Sequence, residues 1–119
     1  MSSTESIKGW HAHVYFSKDE TEQARAVCEE ASERFALEMG RMHEGPVGPH
    51  PTGSCQLSVP PEQFAQAIAW LALNRQGLVV FAHAETGDAW ADHTKHVVWL
   101  GESLPLRLDV LRSLLDKRA

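Results

Sequence analysis

The sequence has few cysteines, few positive charges and no long apolar run. Its two cysteines, Cys28 and Cys55, lie far apart, so neither a disulfide framework nor zinc-finger spacing is indicated, and we interpret both as buried thiols. Eleven Lys and Arg against 16 Asp and Glu leave a net charge of -5, which argues against nucleic acid or an anionic membrane as partner. The polar start of the chain lacks the apolar segment of a signal peptide, so we expect a cytoplasmic protein.

Two common catalytic motifs are missing as well. No glycine-rich phosphate loop follows a predicted strand, and no serine stands in a nucleophile elbow. The apolar content of 43% in 119 residues is ordinary, and it is enough for one compact domain with a real core. We therefore predict a single domain over residues 1–119, with residues 1–8 as a disordered polar lead.

Hydrophobic periodicity and turn residues predict the elements of this domain. The predicted strands are 9–16, 41–47, 54–59, 78–82 and 96–100, and the predicted helices are 17–39, 60–74 and 104–115. Residues 45–53 are dense in Gly and Pro and predict a rigid loop, and 85–93 predicts a polar, turn-rich segment. This order suits a ferredoxin-like α+β fold, a βαββαβ sandwich with a C-terminal strand and helix extension.

Histidine is unusually frequent, with seven in the chain. His11 and His13 are two apart in the first predicted strand, so both point to one face with Tyr15, opposite the face expected to carry the helices. Two neutral imidazoles on one face can chelate a metal ion or divide the work of ligand and base. The same spacing suits a pair of half-exposed strand histidines, and the residues alone leave both interpretations open.

Two further histidines stand where a site can form. His50 lies between two prolines, in a loop restricted enough to fix the direction of its side chain. His83 follows the end of the predicted 78–82 strand. In a ferredoxin-like sheet the fourth strand lies beside the first, so His83 would face the pair on the first strand.

The remaining histidines carry less information. His93 follows Asp92, a carboxylate that can orient an imidazole or simply cap a turn. His96 begins a predicted strand and is the least informative, and we interpret His43 as structural or solvent-facing. An inventory rich in histidine and poor in cysteine favours Fe(II), Mn(II) or Zn(II) over a thiolate site.

Several stretches, taken in order, resemble one known family. They are WHAHVYF (10–16), GPVGPHP (45–51), WLALNRQGLVVFAH (70–83), TGD (86–88), DHT (92–94) and WLG (99–101). Together they are similar to the DOPA 4,5-dioxygenase family of small ring-cleaving enzymes, over nearly the whole chain. The resemblance implies a ferredoxin-like fold and extradiol cleavage of a catechol such as L-DOPA by O₂, a 4,5-cleavage that gives seco-DOPA. It also implies a non-haem Fe(II), for which Zn or Mn could substitute in a purified sample.

The resemblance suggests roles for individual residues. Five histidines match the family motifs: His11, His13, His50, His83 and His93. The three on predicted strands, His11, His13 and His83, are the expected metal ligands. His93 is the expected catalytic acid or base, and His50 is the next choice of ligand and a second catalytic residue. The Tyr15 ring would stack on the substrate.

The ligand set departs from the usual extradiol site of two histidines and one carboxylate. The matching motifs contain no obvious carboxylate ligand. The nearest carboxylates are Glu44, Glu85, Asp88 and Asp92. A ligand set made of histidines alone is an equal alternative.

Two other hypotheses compete with a dioxygenase. The chain could be a ferredoxin-like module that binds a metal or a small ligand without turnover, since this fold has many functions. It could also be an oligomeric scaffold whose strand face packs on a second subunit. For the enzyme we expect a catechol and O₂ as small-molecule partners, and a homodimer.

Overall fold

A computed structural model describes residues 6–118, so residues 1–5 of the predicted disordered lead lie outside the described part. The elements in this range are β1 Gly9–Phe16, α1 Thr21–Phe35, β2 Glu38–Met39, β3 Gly53–Val59, α2 Phe64–Asn74, β4 Val80–Glu85, α3 Ala89–Thr94, β5 Val97–Leu100 and α4 Leu108–Arg118. The Lys8 N–H donates to the Glu85 carbonyl at 2.7 Å, so ordered pairing begins within the predicted lead.

The strands form one antiparallel sheet in the order β2-β3-β1-β4-β5. On one face, Ala12, Val14 and Phe16 of β1 join a buried core with apolar residues of α1 and α2. Trp10 extends this core by stacking on Phe64 of α2, with ring centroids 3.9 Å apart. This arrangement confirms the predicted ferredoxin-like fold, with β4 beside β1 and with β5 and α4 as the C-terminal extension.

The first helix ends earlier than the predicted Met39. Ala36 takes a left-handed conformation with φ 53°, and its N–H donates to the Ser32 carbonyl, which closes α1 at Phe35. Ending the helix there lets Leu37 enter the core and lets the next two residues pair with the free edge of β3 as β2. The helical spacing of apolar residues continues past this point by coincidence. The backbone groups there cannot serve both the helix and a strand, and they pair with β3.

The prediction of a strand over 41–47 is wrong. In this segment His43 forms only an isolated bridge with Ser54. Pro46 and Pro49 lack the N–H that a continuous ladder needs. The predicted 78–82 strand is real but begins later and extends through Glu85, because its pairing with β1 continues that far. His83 therefore lies inside β4 and not after its end.

Two helices differ from the predicted pattern. The segment 85–93, predicted as turns, contains the start of α3, which Asp88 caps by accepting the Ala91 N–H at 3.1 Å. α4 begins at Leu108 and not at Leu104, since Pro105 disfavours a helical conformation at the residue before it. Within residues 6–118, no helix has both the length and the apolar content that crossing a bilayer requires.

We predict that Ala36→Gly stabilises the fold. Ala36 is exposed and has a positive φ, which glycine adopts without the penalty of a Cβ atom. The free energy of unfolding, measured in urea, should rise by about 0.5–1 kcal/mol. Ala26→Gly, at an exposed helical position in α1, is the matched control and should lower it by about 1 kcal/mol. Equal effects of the two substitutions would contradict this account of the helix end.

Candidate metal centre

The pairing of β1 with β4 brings three histidines together on the sheet face opposite α1 and α2. His11 is the direct partner of His83 across the two strands, and His13 follows two residues later on the same face. One ligand nitrogen from each of His11, His13 and His83 lies within 4.8 Å of the others, so the group could hold a metal ion. These are the three residues expected as ligands from the sequence.

The Nε2 atoms of His13 and His83 are 3.2 Å apart in the buried part of the group. Burial, together with the neighbouring imidazoles, lowers the pKa of His13 well below its ordinary value and that of His83 to about 3. Both rings are therefore neutral at pH 7, and the two nitrogens must share a proton or a cation. Two imidazole ligands at about 2.1 Å from one metal ion are roughly 3.0–3.4 Å apart, so the observed separation fits a metal.

Hydrogen bonds on the far side of two rings determine which nitrogen is free to bind. The His83 Nδ1–H donates to the Ala84 carbonyl at 3.1 Å, which leaves its Nε2 lone pair free. His11 Nδ1 lies 2.7 Å from Oε1 of Glu85, which directs the other ring nitrogen of His11 away from the carboxylate. Burial lowers the pKa of His11, and the Glu85 carboxylate opposes that shift. Glu85, one of the four candidate carboxylates, thus orients an imidazole.

His50 approaches the group from the Gly-Pro loop. Its ring centroid is 4.0 Å from that of His13, and its Nδ1 is 2.7 Å from the Tyr15 hydroxyl. Burial raises the pKa of Tyr15 and lowers that of His50 to about 4, so a neutral phenol and a neutral imidazole share this hydrogen bond. In the tautomer that accepts from the Tyr15 hydroxyl, His50 carries its own proton on Nε2. Tyr15 is only 2% exposed and lies behind His50, not on the cavity wall.

His93 lies on α3, with its ring centroid 4.0 Å from that of His83. Its Nδ1–H donates to the Ala89 carbonyl at 2.7 Å, which leaves Nε2 as a hydrogen-bond acceptor. The motif pattern predicted this histidine as a site residue but did not predict the helix that positions it. The signal was the Thr86–Gly87–Asp88 stretch, because Asp is a preferred cap residue at a helix start.

Asp92 holds the segment before α3 and does not contact His93 by a hydrogen bond. It is 2% exposed and accepts from the Thr86 N–H at 2.8 Å, the Thr86 hydroxyl at 2.7 Å and His96 Nδ1 at 2.8 Å. Burial alone would raise the pKa of Asp92, but these hydrogen bonds outweigh burial and lower it. The imidazole that Asp92 orients is that of His96, outside the histidine group.

The other two carboxylates stand apart from the group. Asp88 caps α3, and Glu44 is exposed just before the Gly-Pro loop. Among the described residues, the set that could hold a metal ion contains only histidines. The possible metal ligands are therefore all imidazoles, and Glu85 contacts one of them, His11, on its other ring nitrogen.

A cavity of about 270 Å³ opens above the group. Its floor and sides contain all five motif histidines, with Gln56, Glu85, Pro49 and Ala89 around them. Three leucines of α4 complete the wall: Leu111, Leu114 and Leu115. These leucines were not predicted as site residues, because the pattern of an amphipathic helix does not reveal which surface the helix covers.

Fold and site together define a ferredoxin-like domain with a group of imidazoles that could hold a metal ion beneath a small cavity. A sequence model of the Dopa 4,5-dioxygenase family matches residues 10–110. The chain belongs to the DOPA 4,5-dioxygenase family, as its motifs predicted.

Three relatives are similar to this chain over most of its length. A DOPA 4,5-dioxygenase of Amanita muscaria is 35% identical, covering 86% of this chain and 49% of that protein. An uncharacterised 21.2 kDa protein of Botryotinia fuckeliana is 34% identical, covering 95% and 69%. A crystal structure from Nostoc punctiforme, of a protein itself only proposed to be a dioxygenase, superposes with a TM-score of 0.92 at 43% identity, covering 96% and 99%. This chain thus spans about half the length of the Amanita relative.

We predict that the metal-free protein loses stability as the pH falls from about 6.5 to about 4. His50 and His83 have pKa values of about 4 and about 3 when folded, against 6.5 ordinarily. In this window the unfolded chain takes up protons that the folded chain does not. The free energy of unfolding should therefore fall by about 1 kcal/mol per pH unit for each imidazole.

Urea unfolding at several values between about pH 7 and pH 4.5 measures this slope. His50→Gln, which removes one of the imidazoles with a lowered pKa, should give a shallower slope than the unchanged protein. Identical slopes for the two proteins would contradict the assignment of His50 as a buried neutral imidazole.

Proposed function

We propose that the protein is a non-haem Fe(II)-dependent dioxygenase that opens the ring of a catechol such as L-DOPA by extradiol cleavage. The observation that carries the proposal is the convergence of His11, His13 and His83 at the floor of one cavity. The named activity of the Amanita relative supports the reaction class. Both atoms of O₂ add across one carbon–carbon bond of the ring, so the reaction needs no further reductant.

His11, His13 and His83 would hold the iron. Imidazole nitrogens suit Fe(II) and also Zn(II), which is why a purified sample could contain either metal. Fe(II) bound there would bring catechol and O₂ together and stabilise the negative charge that develops on both. Burial supports this role, because neutral rings keep their lone pairs available at pH 7.

His93 and His50 would divide the proton transfers. The His93 Nε2 atom is free to accept, because its Nδ1–H is used by the Ala89 carbonyl, so His93 would take a proton from a catechol hydroxyl. His50 would present an Nε2–H to the cavity in the tautomer whose Nδ1 accepts from the Tyr15 hydroxyl. His50 would thus hydrogen-bond to an oxygen that gains negative charge during cleavage. By donating to His50 Nδ1, the Tyr15 hydroxyl would keep His50 in this donor form.

A metal-binding module without turnover is the competing function. It shares the histidine group and differs only in oxygen consumption, so one assay separates the two. We also propose that the protein is a homodimer, which light scattering of the purified chain would measure.

We predict that protein loaded with Fe(II) under nitrogen consumes O₂ when given L-DOPA and air. One O₂ should be used for each ring opened, with a yellow product absorbing in the visible. Oxygen uptake and the product spectrum are recorded together, and Zn(II)-loaded protein serves as the inactive control. Stoichiometric iron binding with no uptake for any of a panel of catechols would favour the binding module.

We predict that alanine and glutamine variants separate ligands from proton carriers. His83→Ala should lose both iron and activity, because it removes a ring from the metal group. His93→Gln should keep its iron while kcat falls by about 10²–10⁴-fold. Iron content and kcat are measured on the same samples, with His43→Ala, outside the cavity lining, as the control. Retention of iron by His83→Ala would remove that residue from the ligand set.

A further inference from the structure

The C-terminal helix α4 is tied to both segments that carry the proton-transferring histidines. At its start, the Arg107 N–H donates to the Pro49 carbonyl at 2.7 Å, next to His50. Further along, the Arg112 guanidinium lies over the Trp90 ring of α3 at 4.1 Å from its centroid. These contacts hold α4 across the mouth of the histidine cavity.

The side chains that α4 presents to the cavity are apolar. Leu111 is 5% exposed and belongs to the inner wall, whereas Leu114 lines the cavity and is still 44% exposed, which places it at the mouth. Leu115 lies beside them. We call these three residues the leucine roof, and they face a floor made of imidazoles. The roof lies just after residues 10–110, the range that the family's sequence model matches.

A planar ring between this roof and the imidazole floor would bury apolar area against leucine while its edge reaches the metal group. The cavity of about 270 Å³ is small for a ligand site, since such pockets commonly have about 300–1,000 Å³. A single ring with a short substituent suits that size. A second ring on the same substrate would meet Leu114 at the mouth.

We propose that the leucine roof is the specificity-determining element of the site and that Leu114 restricts it to catechols with one ring. This inference rests on the proposed dioxygenase function. It adds which catechols are excluded, namely those with a second ring, and assigns the selection to residues outside the histidine group. Leu114 acts by contact with the ring and takes no part in proton transfer or metal binding.

The test compares 4-methylcatechol with 3,4-dihydroxybiphenyl as substrates of Fe(II)-loaded full-length protein. The unchanged protein should prefer 4-methylcatechol. Leu114→Ala should raise KM for 4-methylcatechol about 10-fold with little change in kcat, and should raise kcat/KM for the biphenyl. Leu114→Phe, which narrows the mouth, should lower kcat/KM for the biphenyl further. Leu108→Ala removes the same atoms from a residue of α4 outside the cavity lining. It should change neither KM for 4-methylcatechol nor kcat/KM for the biphenyl.

Binding supplies a readout that does not depend on turnover. Dissociation constants for the two catechols are measured by calorimetry under nitrogen, with the protein loaded with redox-inert Zn(II). Leu114→Ala should weaken the binding of 4-methylcatechol and strengthen the binding of the biphenyl. This result is expected even if none of the variants shows turnover. An unchanged ratio of the two constants in both Leu114 variants would overturn the proposal. Absence of turnover with the predicted shift in binding would reject the dioxygenase function alone.

Discussion

The antiparallel pairing of β1 with β4 is the constraint on which the site depends. It places His11 opposite His83 and brings His13 Nε2 to 3.2 Å from His83 Nε2, although 70 positions separate those residues. A shift of one residue in this register would turn one strand's histidines toward the α1 and α2 core. The alternation of side chains along β1 places Val14 and Phe16 in the core, and it therefore also places His11 and His13 on the other face.

Burial of the histidines has a chemical benefit and a cost in stability. Within the sheet the rings of His13 and His83 stay neutral, so their lone pairs remain available for a metal ion at pH 7. The hydrogen bonds from the far nitrogens then decide which atom each ring presents, through Glu85 for His11 and the Ala84 carbonyl for His83. The same burial makes the folded chain resist protonation, so acid favours the unfolded state.

Much of the fold was predictable, because local pattern and tertiary structure agree in the long elements. The strand with His11 and His13, and the order of the longer elements β1, α1, β3, α2, β4 and α4, followed from alternation and helical spacing. The errors lie where long-range contacts compete with local preference. β3 pairs with Glu38–Met39, which local spacing assigned to α1, and the six-residue α3 is too short to give a clear periodic signal.

The sequence by itself determined which residues share a face, because side chains alternate along any strand, and its motifs determined the family. It also supplied the five histidines that surround the cavity. Only the tertiary structure decided that Glu85 orients a ring, that Tyr15 lies behind His50, and that the leucines of α4 close the cavity. Each of these depends on distances between side chains from different elements, and those distances are set by how the sheet and helices pack.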